Sequence, residues 1–236
     1  MLLTTDIDVT RTNEMIKAFY AIVASLHRTK SNKIRGLANA IKKALNNPDI
    51  VIRTKKDKAV TEDMILVSGM YYPCEDQDNA PPIHLTLNYC PSAPIVKENL
   101  DIEWISVEVV ETIVHEYRHR LQYRNRNYAA PTVFCSVHED FLIKEDQEYL
   151  GTEDEIDAYS HSIAAEIYLR DQLKITDQET IAKDLHVIPE YKYYTNAFGD
   201  DHPIIKDLRL KVDNLLKSMY NSENSLLAEL DIALTS

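Results

Sequence analysis

Residues 105–124 read Ile-Ser-Val-Glu-Val-Val-Glu-Thr-Ile-Val-His-Glu-Tyr-Arg-His-Arg-Leu-Gln-Tyr-Arg, the longest helix-periodic run in the chain. Val107, Val110, Val114, Tyr117 and Leu121 recur at spacings of three and four, which predicts a helix with those residues on its buried stripe. His115 and His119 lie one turn apart on the flank of that stripe, so their rings point the same way. Glu116 sits one step further round.

This His-Glu-x-x-His arrangement has a definite chemistry. Imidazoles at i and i+4 can both reach one zinc ion at about 2.0–2.1 Å. The ion draws the pKa of a bound water towards ~7, and a nearby carboxylate takes the proton as the water attacks a carbonyl. The same carboxylic acid then protonates the leaving amine. His115 and His119 are therefore the expected metal ligands, with Glu116 as general base. The plainer alternative is a structural helix that carries two surface histidines.

A catalytic zinc needs a third protein ligand and one open position. The H-x-x-G-x-x-H continuation of the metzincins is absent, because Arg120-Leu121-Gln122-Tyr123 follows the motif. The ligand is expected from a second helix that opens at Gly151-Thr152 and runs to about Leu173, with Thr152 as its N-cap. Within it, Glu155 and Ala158 match an E-x-x-A pattern. This resembles the gluzincins, the HExxH peptidases whose glutamate ligand lies on a later helix. Asp154-Glu155-Ile156 with Ala158-Tyr159 resembles the Asp-Glu-Ile-x-Ala-Tyr segment of uncharacterised phage-type HExxH proteins. A second register, Glu153 with Asp157, matches E-x-x-x-D. Glu155 is preferred because Tyr159 and Ser162 share its face, although it also occupies the capping-box position three residues after Thr152. Glu153, Asp157, His161 and His138 are the alternatives.

The resemblance spans Val107 to Glu166. It implies an α+β, zincin-like single domain over residues 1–236, with one zinc ion per chain. It also implies a small mixed sheet whose edge strand lies beside the active-site helix and pairs with substrate backbone. Ile83 to Tyr89 is the candidate edge strand, since Ile83, Leu85, Leu87 and Tyr89 alternate and Pro81, Pro82 and Pro91 flank them. The chain departs from the gluzincin pattern at Arg118 and Arg120, where uncharged residues are usual. Those arginines are expected to point to solvent, pair with carboxylates or bind a substrate carboxylate.

The rest of the chain fits this frame. Helices are predicted over 13–27 and 31–45, giving a helical N-terminal part (1–48), and strands over 49–54 and 64–72. The second half reads as helical: a short helix after the capping box Thr176-Asp177-Gln178-Glu179, one from Asp201-Pro203 to Tyr220, and another over 222–234. Tyr191, Tyr193 and Tyr194 are candidate oxyanion donors or packing residues. His84, on the opposite face of its strand from Leu85, is expected to face solvent or substrate. His27, His186 and His202 have no partner at metal spacing.

Composition narrows the function further. A net charge of −12 argues against nucleic acid and against an anionic membrane surface as partners. Only 4 glycines leave no Gly-rich phosphate loop. The 3 cysteines form no CxxC pair and read as reduced thiols. With neither a signal-like start nor an apolar run of ~18 residues, the expected setting is cytoplasmic. The expected function is a zinc metallopeptidase acting on a protein or peptide. The alternatives are a non-catalytic interaction protein of zincin fold and a zinc amidohydrolase acting on a small molecule. Substrate and oligomeric state are not legible in the sequence.

Overall fold

Helix boundaries in this chain follow its stop and start residues. The structure is a computed structural model that describes residues 9–31, 33–61, 64–91, 101–129, 141–172, 174 and 185–235. The side chains of residues 9–13, 141–144 and 222–235 lie outside the description. Helix α1 spans Val9–Arg28 and α2 spans Ile34–Leu45. The latter ends where Asn46 turns left-handed (φ 43°) and returns its N–H to Lys42 O, as asparagine tolerates this conformation best after glycine. Strands β1 (Ile50–Lys56) and β2 (Ile65–Ser68), a short helix α3 (Pro73–Gln77) and strand β3 (Ile83–Tyr89) follow. Helix α4 covers Ile102–Asn125 and is opened by Asp101, whose carboxylate accepts the Trp104 N–H at 2.8 Å. The remainder is helical: α5 (Phe141–Leu150), α6 (Glu153–Gln172), a 3-10 turn (Leu185–Val187), α7 (Pro189–Phe198) and α8 (Pro203–Thr235). The described residues are thus mixed α+β, with one small sheet. The region expected to form two C-terminal helices is a single one, because Ser222 and Asn224 are weak helix formers rather than breakers. The predicted helix after Thr176 and the third cysteine, Cys135, lie outside the described residues.

The chain groups into two compact units, one of residues 1–4 and 13–120 and the other of residues 5–12 and 121–236, with α4 a continuous helix that contributes to both. In the first unit the sheet is ordered β1-β3-β2, with β1 parallel and β2 antiparallel to β3. Ile65, Val67, Ile83, Leu85 and Leu87 bury one face. Leu26, Leu37, Ile41, Ile102 and Ile105 close over it from α1, α2 and α4.

The edge-strand expectation for Ile83–Tyr89 is corrected: β3 is the central strand, paired on both sides. The prolines lie outside the strand at 81, 82 and 91, so they remove no ladder donor and do not mark an edge. The misleading alternation arises because the polar residues of β3 are also buried. His84 is not at the surface but holds Glu75 Oε2 through Nε2 at 2.6 Å, with its ring against Tyr72. Asn88 donates to Ser68 Oγ and Leu66 O.

The edge beside α4 belongs to β2, on whose outer side no further strand pairs among the described residues. Met70 and His84 exchange backbone bonds of 3.0 and 2.9 Å. An antiparallel ladder alternates, so Leu66, Ser68 and Met70 turn their backbone groups to β3 while Ile65, Val67 and Gly69 turn theirs outward. Met64, Leu66 and Met70, at period two along this edge, are 51%, 51% and 53% exposed.

In the second unit α6 is buried on nearly all sides: Ile156, Ile163, Ala164, Ala165, Ile167, Tyr168 and Leu169 are enclosed, and the buried Glu166 and Arg170 pair one turn apart. Its C-terminal half packs on α8, where Tyr168 meets Tyr220 edge-on and the Tyr220 hydroxyl donates to Asp171 at 3.0 Å. Helix α7 is fastened to α5 by Gln147 Nε2 on Ala197 O and by the Tyr194 hydroxyl on Leu150 O. No helix among the described residues is long and apolar enough to cross a membrane.

Candidate metal centre

On α4 the rings of His115 and His119 meet edge-on with centroids 4.7 Å apart, and their Nε2 atoms converge to 3.0 Å. Two nitrogens at ~2.05 Å from one tetrahedral ion would sit ~3.3 Å apart, so the pair is already close to the spacing a shared ion imposes. Glu116 is buried beside Gly69, the residue that follows β2. A Cβ built on Gly69 would lie 2.5 Å from Glu116 Oε1 and 2.7 Å from Thr112 Cγ2. Glycine is required there by close approach, and its absent side chain leaves room for the Glu116 carboxylate.

Arg120 is committed elsewhere in the first unit. Its Nη1 holds Asp49 at 2.7 Å, while Nε and Nη2 hold Asp76 Oδ1 at 3.2 and 2.9 Å. The other oxygen of Asp76 accepts the Tyr71 hydroxyl at 2.9 Å. Burial pulls the Arg120 pKa down, but the two carboxylates outweigh it and leave the pKa raised. Of the roles expected for this arginine, the structure selects pairing with carboxylates.

In the second unit Glu155 occupies the first turn of α6 and is buried. Thr152 is the N-cap expected: its Oγ1 accepts the Glu155 N–H at 3.2 Å and its carbonyl accepts the Ile156 N–H at 3.0 Å. The cap uses only the backbone of Glu155, so it does not conflict with the ligand role expected of the side chain. The rival ligands are placed differently. Glu153 is exposed, and Asp157 accepts Gln122 Nε2 at 2.8 Å. His161 Nδ1 is 2.8 Å from Asp157 O, and His138 lies outside the described residues. The donors offered are the His115 and His119 imidazoles on α4 and the Glu155 carboxylate on α6. Two imidazoles and a carboxylate are a donor set that zinc accepts.

The hydroxyls of the tyrosine cluster are hydrogen-bonded within the second unit. Tyr193 donates to Asp146, Tyr194 to Leu150 O, and Tyr191 accepts from Arg209. Tyr194 also meets Tyr159 edge-on at 5.2 Å. Burial raises Tyr194 well above the usual phenol range, and burial with the Asp146 carboxylate pushes Tyr193 up to about 12. A phenol whose folded pKa exceeds its unfolded value of ~10 contributes stability below pH ~10 and loses it as pH rises towards the folded value. The α5–α7 region is thus expected to unfold between pH ~10 and ~12. Phenolate absorbance at 295 nm should appear together with loss of helical circular dichroism; tyrosines that ionise with the helices intact would refute this.

Sequence reasoning missed three residues. Gly69 registered only as an interruption of a strand, although a lone glycine in such a run signals close approach. Gln122 and Arg126 continue the His115/His119 face at further spacings of three and four, a signal present in the sequence but not followed past the motif.

No protein-family model, characterised protein or solved structure matches this chain.

Proposed function

We propose that the chain is a zinc-dependent metallopeptidase of zincin-like fold, in which His115, His119 and Glu155 hold the ion and Glu116 is the general base. The observation that carries this reading is the convergence of the His115 and His119 Nε2 atoms to 3.0 Å on α4, next to the buried carboxylate of Glu116, on the residues that the HExxH motif singles out. Bound zinc would supply a Lewis acid for the carbonyl and lower the pKa of the attacking water.

Glu116 takes one proton from that water as its oxygen bonds to the carbonyl carbon, then delivers the proton to the amide nitrogen as the C–N bond breaks. Burial of Glu116 keeps the carboxylate out of bulk solvent. Gly69 sets its distance from the chain that ends β2. Strand β2 takes the substrate-binding role expected of an edge strand. Its outward N–H and C=O groups at Ile65, Val67 and Gly69 suit an extended peptide, and that line of groups ends beside Glu116.

The test combines metal content with cleavage. Mass spectrometry of chelator-free protein should find about one zinc per chain in wild type and Glu116→Gln, and little in His115→Ala or Glu155→Ala. Incubated with a library of peptides from a whole-proteome digest, zinc-loaded wild type should create new N-termini and Glu116→Gln should create none. Wild type that binds no zinc even when it is added back, or equal cleavage by the two proteins, would overturn the proposal.

A further inference from the structure

His115, His119, Gln122 and Arg126 follow one another on α4 at spacings of four, three and four. That series stays on a single helical face, so the two histidines and the two residues after them look the same way. Gln122 Nε2 donates to Asp154 O at 2.9 Å and to Asp157 Oδ2 at 2.8 Å. Arg126 grips the Asp154 carboxylate with two parallel bonds of 2.6 Å each, the fork geometry that guanidinium and carboxylate share. The Asp154 side chain is 13% exposed and that of Arg126 29%, so this pair is shielded more than an ordinary surface ion pair.

These contacts bracket Glu155. The carbonyl immediately before it and the carboxylate two residues after it are both fixed to α4, and its own N–H is held by Thr152. The bracket answers a physical difficulty. The first turn of a helix leaves backbone donors without intrahelical partners and frays most readily, which is a poor place for a ligand that must hold its position.

We propose that Gln122 and Arg126 are positioning residues for the third metal ligand, holding the first turn of α6, and Glu155 with it, against the end of α4 that follows the two histidines. This inference rests on the zinc reading above. Without these ties the three ligands remain in the chain, but the first turn of α6 frays, and metal binding then has to restore its order.

Cobalt(II) is the probe, because its visible absorption reports the ligand set and competition with a chelator reports affinity. Gln122→Met and Arg126→Met are each expected to weaken cobalt binding on the order of 10-fold. At saturation both should keep the wild-type spectrum, since the ligands are unchanged. Tyr220→Phe is the control: it removes the 3.0 Å tie to Asp171 at the far end of α6 and should leave affinity at the wild-type value. Wild-type affinity in both clamp variants, or an equal loss in Tyr220→Phe, would overturn the positioning role. Wild type that takes up neither cobalt nor zinc would overturn the zinc reading, and the positioning role with it.

Discussion

On the metallopeptidase function proposed above, replacing Gly69 with alanine is expected to lower kcat/KM for peptide hydrolysis by ~100-fold or more while leaving zinc content at the wild-type level. The new methyl carbon would fall 2.5 Å from Glu116 Oε1, 2.6 Å from its Cγ and 2.7 Å from Thr112 Cγ2. Real Cβ atoms do not approach so closely, so something must yield. Thr112 is β-branched in mid-helix and confined to few rotamers, whereas Glu116 has three rotatable bonds and its carboxylate at the free end. Glu116 therefore swings aside, at an overpacking cost of about 1–3 kcal/mol. What is lost is a general base in position, worth 10²–10⁴-fold. His115 and His119 lie on the same helix but do not meet the added atom, so metal binding persists. Activity and zinc content measured on one sample settle the matter, since full activity in Gly69→Ala would mean that Glu116 does not act from this position.

Replacing Arg120 with methionine is expected to destabilise the protein by about 3–5 kcal/mol, the range for breaking one side of a buried ion pair. The side chain is 9% exposed, and Asp76 beneath it is 2% exposed. Without the guanidinium, Asp76 keeps the bond from the Tyr71 hydroxyl but loses the cation that balances its charge, and Asp49 loses its 2.7 Å contact with Arg120. A shift on the order of 10 °C in Tm follows for a chain of this size. Adding Asp76→Asn to Arg120→Met should recover much of that loss, because it removes the stranded charge. A Tm within ~1 °C of wild type for Arg120→Met alone would contradict a stabilising role for the buried pair. A substrate-binding arginine would behave otherwise, raising KM with little change in Tm.

The contrast between Gly69 and Arg120 shows what the sequence could tell. The helix of the motif, its paired histidines and the buried register at Glu155 are local: spacings of three and four read directly as one face, and Thr152 announces the start of α6. The first two helices were legible for the same reason, and α2 stopped at Asn46 as its composition predicts. What escaped were relations between residues far apart in the chain. Nothing near Arg120 names Asp49 or Asp76 as its partners, and nothing near Ile83 says that two strands will flank it. Proline placement was used as a proxy for edge position, and it fails when the prolines end the strand rather than interrupt it. Helix α7 was illegible for a different reason: Tyr191, Tyr193, Tyr194 and Thr195 favour strands in isolation. Burial of Tyr191 and Tyr194, three apart on one helical face, overrides that preference.

A strand edge does not discriminate between the strands it receives. The backbone groups that β2 turns outward at Ile65, Val67 and Gly69 would pair as well with β2 of a second copy, antiparallel, extending three strands to six. The exposed Met64, Leu66 and Met70 would add apolar contact to that join. The protein's opposing resource is its charge of −12, which makes copies repel over a distance that salt sets, about 8 Å at physiological ionic strength. Backbone pairing has no such dependence. Colloidal behaviour is therefore coupled to ionic strength in an unfavourable sense: salt shortens the repulsion and leaves the adhesive edge as it was.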